Sequence, residues 1–254
     1  MSFNLEQSGI PIALIKNCKN EKIVFLDERN DAITNYSELI LEENNGKFQY
    51  MFNTKNERFI SYCSGQSGSG KSSWTAQIAN EYRKIYPKRD IYLFSYVNDD
   101  KSIDAIKGLK RLNIQSEDFL NTELSSEDFK NSLIIFDDCD CIRDKKLKNK
   151  IKDILDKVLM TGRHYCTSCI YLSHLTCNGS DTKLVLAEAQ SITVFPNTLN
   201  GRTRDYLYKS YIGLNKKQIE NLKKIEDNTR SLTYVKSYPS CFISDHAIVL
   251  TKNL

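Results

Sequence analysis

The chain has 254 residues, 40% of them hydrophobic and 27% charged, with a net charge of +4; that is enough apolar material for one well-packed domain, or one with a modest appendage. No apolar run approaches the roughly 18 residues of a membrane span, and residues 1–17 lack the basic start and long apolar stretch of a signal peptide. The expected setting is intracellular, with the eight cysteines as reduced thiols, and so small a net charge does not by itself indicate nucleic-acid binding.

Residues 1–57 have the texture of a small β-rich lead-in. Short strands are predicted at Ile10–Ile15, Lys22–Leu26 and Lys47–Phe52, with polar turns at Glu28–Ala32 and Glu43–Gly46 between them. From residue 58 the chain alternates strands and helices, the βαβ pattern of a mainly parallel sheet covered on both faces. The first strand, Phe59–Cys63, runs into Gly65-Gln-Ser-Gly-Ser-Gly-Lys-Ser72, a complete match to the phosphate-binding pattern G-x-x-x-x-G-K-[ST]. A helix over 72–86 follows, so the loop has the strand before it and the helix after it that its mechanism requires.

Gly65, Gly68 and Gly70 allow the backbone to fold tightly enough to turn its N–H groups toward phosphate oxygens, and the helix adds the positive end of its dipole. Lys71 is expected to reach the β- and γ-phosphates, and the Ser72 hydroxyl to coordinate magnesium. The nucleotide-binding set is therefore Gly65, Gln66, Ser67, Gly68, Ser69, Gly70, Lys71, Ser72 and Ser73, with ATP and Mg2+ as the cofactors.

The next predicted strand is Ile91–Tyr96, followed by a helix over 102–110. Ser132–Phe136 then forms an apolar strand ending in Asp137-Asp138, the form of a Walker B motif. Asp137 would hold magnesium beside Ser72; Asp138 would polarise the water that attacks the γ-phosphate, a place commonly taken by the longer glutamate.

Over 144–160, Leu147, Ile151, Ile154, Leu155, Val158 and Leu159 recur at helical spacing, opposite Lys145, Lys146, Lys148, Lys150, Lys152 and Lys157. A solvated lysine face is the simpler reading; a surface tracking DNA phosphates is the alternative. Arg163, at the sharp exit of this helix, is the first choice for a cation supplied in trans to a neighbouring subunit's nucleotide, with Arg202 and Arg204 second. Cys166 and Cys169 form a C-x-x-C with His164, His174 and Cys177 close by. A zinc site would need four converging ligands, which a strand over Ser168–Ser173 would separate, so small buried thiols are the favoured reading. That strand ends at Ser173-His174. Where the Walker strands are neighbours, a polar residue there lies beside the γ-phosphate, and His174 is preferred over Ser173 as sensor or water-positioning group. A helix over 182–189, a strand at Ser191–Phe195, helical stretches over 202–211 and 215–226, and strand-like Ser231–Ser237 and Ala247–Leu250 complete the chain.

Taken together, these segments resemble the genome-packaging ATPases of poxviruses, giant viruses and virophages, within the FtsK–HerA group of DNA pumps. The resemblance covers roughly residues 58–250. It rests on Gln66–Ser72, Ile91–Ser95 with Asp99-Asp100, Asn131–Asp138, Gly162–His164, Ile170–His174, Thr182–Glu188, Phe195-Pro196 and Tyr238-Pro239. It implies an α/β, RecA-like P-loop ATPase domain over 58–254, with residues 1–57 as a separate β-rich segment that carries no matching motif. It further implies a homo-oligomeric ring around double-stranded DNA, ATP-driven packaging into a preformed capsid, and possible contacts with capsid or portal proteins. The place of action would be the virus assembly site in the host cytoplasm, with association with the virion as the alternative. By position, Lys71 and Ser72 bind phosphate and magnesium, Asp137 binds magnesium, Asp138 activates water, and Arg163 is the trans finger. Two other functions use the same phosphate loop: a small-molecule kinase, against which stands the lack of a lid-like insertion, and a non-hydrolysing nucleotide-dependent assembly switch.

Overall fold

The computed structural model describes residues 2–29, 31, 33–42 and 46–254. These part into two compact units: residues 57–189, and residues 1–56 together with 190–254. Residues 190–254 thus belong to the same unit as the N-terminal segment.

In chain order, the N-terminal segment contributes β1 (Ser2–Asn4), β2 (Ile10–Lys16), β3 (Lys22–Asp27), β4 (Glu38–Ile40) and β5 (Lys47–Tyr50). The second unit contributes β6 (Ile60–Ser64), α1 (Lys71–Ile85), β7 (Asp90–Ser95), β8 (Leu109–Leu112), α2 (Glu117–Asn121), β9 (Ser132–Asp137), α3 (Lys145–Thr161), β10 (Ser168–Ser173) and α4 (Ser180–Glu188). The chain then adds β11 (Ser191–Val194), α5 (Gly201–Asp205), α6 (Lys216–Glu226), β12 (Leu232–Val235), β13 (Cys241–Ile243) and β14 (Ala247–Leu250).

The 57–189 unit is built on five strands in the order β6-β10-β9-β7-β8, all parallel. β9 and β10 are buried at every position, as strands covered on both faces must be, and their near-continuous apolar runs follow from that burial. α1 turns Trp74, Ile78, Ala79 and Tyr82 inward at helical spacing. α3 does the same with the six apolar residues read from the sequence. Asp144 caps the start of α3 by accepting a hydrogen bond from the Leu147 N–H at 2.7 Å. At its other end the Arg58 guanidinium donates to the carbonyls of Val158 (3.0 Å) and Leu159 (2.9 Å). The cation satisfies helix-end acceptors at the negative pole of the dipole. A Cβ on Gly162 would come within 2.8 Å of that guanidinium, so glycine leaves the arginine its place. Arg58→Ala should cost about 2–3 kcal/mol, from two charge-assisted hydrogen bonds. Chemical denaturation would measure it; a loss below half a kcal/mol would mean water caps the helix equally well.

The other unit holds two antiparallel arrays. β1-β3-β2-β5 form one sheet, each strand antiparallel to its neighbour. β11, β12, β13, β14 and β4 form the second run, each antiparallel to the next. The expected strands at Ile10–Ile15, Lys22–Leu26 and Lys47–Phe52 correspond to β2, β3 and β5, whereas β1, β4 and β13 are too short to show periodicity. The expected turns at Glu28–Ala32 and Glu43–Gly46 lie partly outside the described residues.

Two expectations need correction. The helix over 102–110 does not form. One helical turn is closed by the Asp104 N–H to Asp100 carbonyl bond, the next links are shorter, and Leu109–Leu112 becomes β8 beside β7. Parallel pairing with β7 supplies the backbone bonds that a helix would otherwise have made, a tertiary override of local propensity. The helix over 202–211 is split: α5 ends at Asp205 and a wider π-helical stretch runs over Tyr206–Ile212.

Candidate active site

The loop between β6 and α1 crosses the C-terminal edge of the parallel strands. Its first residue is tied down by the Gly65 N–H bond to the Ser173 carbonyl at the end of β10 (3.1 Å). Gly68 (φ +77°) and Gly70 (φ +115°) occupy the left-handed region that an L side chain resists. Gly70 caps α1 without a side chain, and the helix's first turn carries no acidic residue. The positive end of the helix is therefore left to an anion. Residues 66–68 form the exposed crest, while Lys71 is buried. Its ammonium donates to the carbonyls of Gly65 (2.8 Å) and Gln66 (3.3 Å).

Facing the loop is a cluster of carboxylates. Asp137 ends β9 and is only 4% exposed. Its pKa is pushed up to about 7, first by burial and then by Asp138 and Asp100, against the lowering influence of Lys71 and His174. Asp100 accepts a hydrogen bond from the Ser72 hydroxyl at 2.7 Å. It is fixed in turn by the N–H groups of Ser102 and Ile103. Asp100 belongs to the acidic pair quoted for the resemblance, yet sequence reasoning assigned it no role at the site. Its distance from the phosphate loop along the chain hides a contact that the turn after β7 creates. Ser95, in register with Asp137 on β7, has a buried hydroxyl with no hydrogen-bond partner among the described residues. Ser72, Asp100 and Asp137 are hard oxygen donors of the kind that suits Mg2+. A cation there would also offset the crowding that raises Asp137. The donor set fits magnesium.

Asp138 adopts a left-handed conformation (φ 52°), which aspartate tolerates. Its Oδ1 lies 2.6 Å from His174 Nε2. β10 pairs with β6 on one side and β9 on the other. The two Walker strands, expected to be neighbours, are thus separated by β10, and His174 follows that strand's last residue. The segment leaving β10 is anchored by the Tyr62 hydroxyl, which donates to the carbonyls of Leu175 (2.8 Å) and Thr176 (3.0 Å), and by Ser64 donating to Thr176 (2.8 Å). Ser173 spends its hydroxyl on Asp140 and the Leu175 carbonyl.

Lys71, Ser72, Asp137, Asp138 and His174 are therefore brought to one edge of the sheet, and Arg163 is not. It is exposed in the turn after α3. The 17-residue helix separates it from the Asp144 end by about 25 Å at 1.5 Å per residue. Arg202 is also exposed, whereas Arg204 donates to the Pro196 carbonyl and lies 3.5 Å from Glu226. The lysine face of α3 is partly engaged: Lys150 caps the Leu120 and Thr122 carbonyls, Lys148 faces Asp181 and Lys157 faces Asp153. Lys145, Lys146 and Lys152 are exposed. Of the C-x-x-C pair, Cys169 is buried in β10, its thiol pushed up to about 12 by burial, while Cys166 faces Glu57. All eight cysteines are free. Among the described residues no helix is long and apolar enough to cross a membrane.

No family model matches the chain. It is 38% identical over 245 residues to uncharacterized protein V3 of Sputnik virophage, covering 94% of this chain and 95% of that protein. Among solved structures it is similar to the genome packaging NTPase B204 of Sulfolobus turreted icosahedral virus 2. In complex with AMP, that protein superposes with a TM-score of 0.52 at 17% identity, over 75% of this chain and 98% of the other. Its ATP-gammaS complex gives 0.50 at 18% identity, over 74% and 98%. The cytoplasmic domain of the Thermomonospora curvata Type VII secretion ATPase EccC gives 0.50 at 11% identity, over 93% of this chain and 28% of the other. The chain therefore belongs to the family of the Sputnik virophage protein V3, and its fold is that of the viral genome-packaging NTPases its motifs resemble.

Proposed function

We propose that the protein is an ATP-hydrolysing translocase that drives double-stranded DNA into a preformed viral capsid. The observation that carries the reading is the convergence of the phosphate loop, Asp137 and the Asp138–His174 pair at the C-terminal edge of three adjacent parallel strands. The backbone of Gly65–Ser73 would hold the phosphates. Lys71 would exchange its carbonyl partners for β- and γ-oxygens, and Ser72 and Asp137, with Asp100 beside them, would hold Mg2+. Bound there, the ion would neutralise charge on the β- and γ-phosphates. Asp138, oriented by His174, would accept the proton of the attacking water as its oxygen bonds to the γ-phosphorus and the bond to the β–γ bridging oxygen breaks. That pair favours attack by water over transfer to a bound acceptor.

Arg163 cannot reach its own site along the length of α3, so its proposed role requires a neighbouring subunit and hence a homo-oligomeric ring. DNA would be gripped by its phosphates, with Lys145, Lys146 and Lys152 as exposed contacts, and binding would weaken steeply with salt. The work would take place at the virus assembly site in the host cytoplasm, against capsid or portal proteins.

Steady-state ATP hydrolysis, with and without long double-stranded DNA at two salt concentrations, tests the reading. Stimulation by DNA that fades with salt is the expected result. Lys71→Ala should lower the stimulated rate by about 10³-fold or more, since it removes the cation that contacts the transferred phosphoryl group. Hydrolysis indifferent to DNA would overturn the translocase; a Lys71→Ala protein that hydrolyses normally would overturn the assignment of the loop.

A further inference from the structure

We propose that Asp138, Asp140, Cys141 and His174 form a second cation site beside the phosphate loop, selective for a thiophilic divalent ion such as Zn2+, whose occupancy stops hydrolysis. Their ligand atoms (two carboxylate oxygens, a thiol sulfur and an imidazole nitrogen) all lie within 4.8 Å of one another. Three of the four residues after β9 and the first residue after β10 meet because those two strands are neighbours. Tetrahedral zinc, at about 2.0–2.3 Å from its ligands, places them roughly 3.3–3.8 Å apart, so a shift near 1 Å closes the site. Cys141 Sγ is already 3.7 Å from Asp140 Oδ1.

Asp140 is held for this role by its other oxygen, Oδ2, which accepts the His174 N–H at 2.8 Å and the Ser173 hydroxyl at 3.0 Å. Outer hydrogen bonds of this kind fix the direction of a ligating carboxylate. Half of the donor set is not carboxylate, and this separates the site from the oxygen-only set of Ser72, Asp100 and Asp137. Thiol and imidazole favour zinc, whereas hydroxyl and carboxylate favour magnesium, so the two ions need not compete. Binding would exchange the Cys141 thiol proton for a sulfur–metal bond, releasing that proton to solvent. Cys141 is exposed, so an ion can reach it.

The consequence for turnover rests on the reading of Asp138 as the group that receives the water's proton. A carboxylate whose charge is neutralised by a bound cation is a far weaker base at either oxygen. Occupancy should therefore lower hydrolysis by the ~10²–10⁴-fold typical of a lost general base.

The test uses Co2+ as a spectroscopic probe on the full chain, with Cys141→Ser as the diagnostic variant. The expected titration saturates at one ion per chain, with tetrahedral d–d bands and a thiolate-to-cobalt charge-transfer band. Zn2+ should displace the ion, and Cys141→Ser should lose the charge-transfer band. Zn2+ added to the Mg2+-ATP assay should stop the native protein and spare Cys141→Ser, whose rate without zinc is unchanged. A spectrum unaltered by Cys141→Ser, in protein with native circular dichroism, would overturn the site while leaving the role of Asp138 intact. A Cys141-dependent site whose filling leaves hydrolysis untouched would overturn the switch, and the Asp138→Asn assay would then judge the base separately.

Discussion

Asp138→Asn should bind ATP within about threefold of the native affinity and hydrolyse it about 10²–10⁴-fold more slowly, the range for removal of a general base. The asparagine carbonyl keeps an acceptor for His174, at the 2.6 Å position now held by Oδ1, and fills the same volume. What it loses is the negative charge and the ability to take a proton. The loop that would hold the triphosphate, and Lys71 with its two carbonyl partners, lie outside the substitution. Binding and turnover should therefore separate: fluorescent-nucleotide titration reads the first, and single-turnover phosphate release the second. Equal losses in both would make Asp138 a binding group instead; normal turnover would remove it from the reaction.

The second large effect is on stability. The Asp137 carboxyl is pushed up from its ordinary 3.8 to about 7 in the folded chain, with burial the leading cause and Asp138 and Asp100 next. Between those two values the folded state holds a proton that the unfolded state has released. The stability it confers is therefore full below about pH 4 and is lost as pH rises toward 7. From about pH 5 to pH 7.5 the nucleotide-free protein should lose on the order of 2–4 kcal/mol through this one group. Asp137→Asn should flatten that slope and be the more stable protein at the upper pH. Mg2+ with a non-hydrolysable nucleotide should stabilise the native protein at the same pH by more than it stabilises the variant, which keeps the phosphate loop and Lys71 but lacks the charged Mg2+ ligand. Urea denaturation at the two pH values measures both, and parallel slopes for native and variant protein would show that Asp137 is already ionised in the fold.

The sequence by itself determined the parts whose physics is local. A glycine-rich loop ending in Lys71-Ser72 needs a strand before it and a helix after it, and β6 and α1 are there. Six apolar residues at a helical period dictated α3, and an uninterrupted apolar run ending in two aspartates dictated β9. Buried parallel strands announce themselves by such runs, so β6, β7, β9 and β10 could be anticipated in kind, though not their order; β8, half-exposed and carrying Lys110 and Arg111, could not. Tertiary structure alone decided what depends on distant residues meeting. The insertion of β10 between the Walker strands, and the Asp138–His174 contact that follows from it, cannot be read from spacing, because strand order leaves no trace in local periodicity. The same is true of Asp100 against Ser72, 28 residues apart, and of the Arg58 cap on α3, a century of residues downstream. β8 replaced an expected helix because β7 offered its backbone a partner. The short strands form only because neighbours receive them, β1 and β4 at the ends of their runs and β13 between β12 and β14, and three residues are too few to carry a pattern of their own.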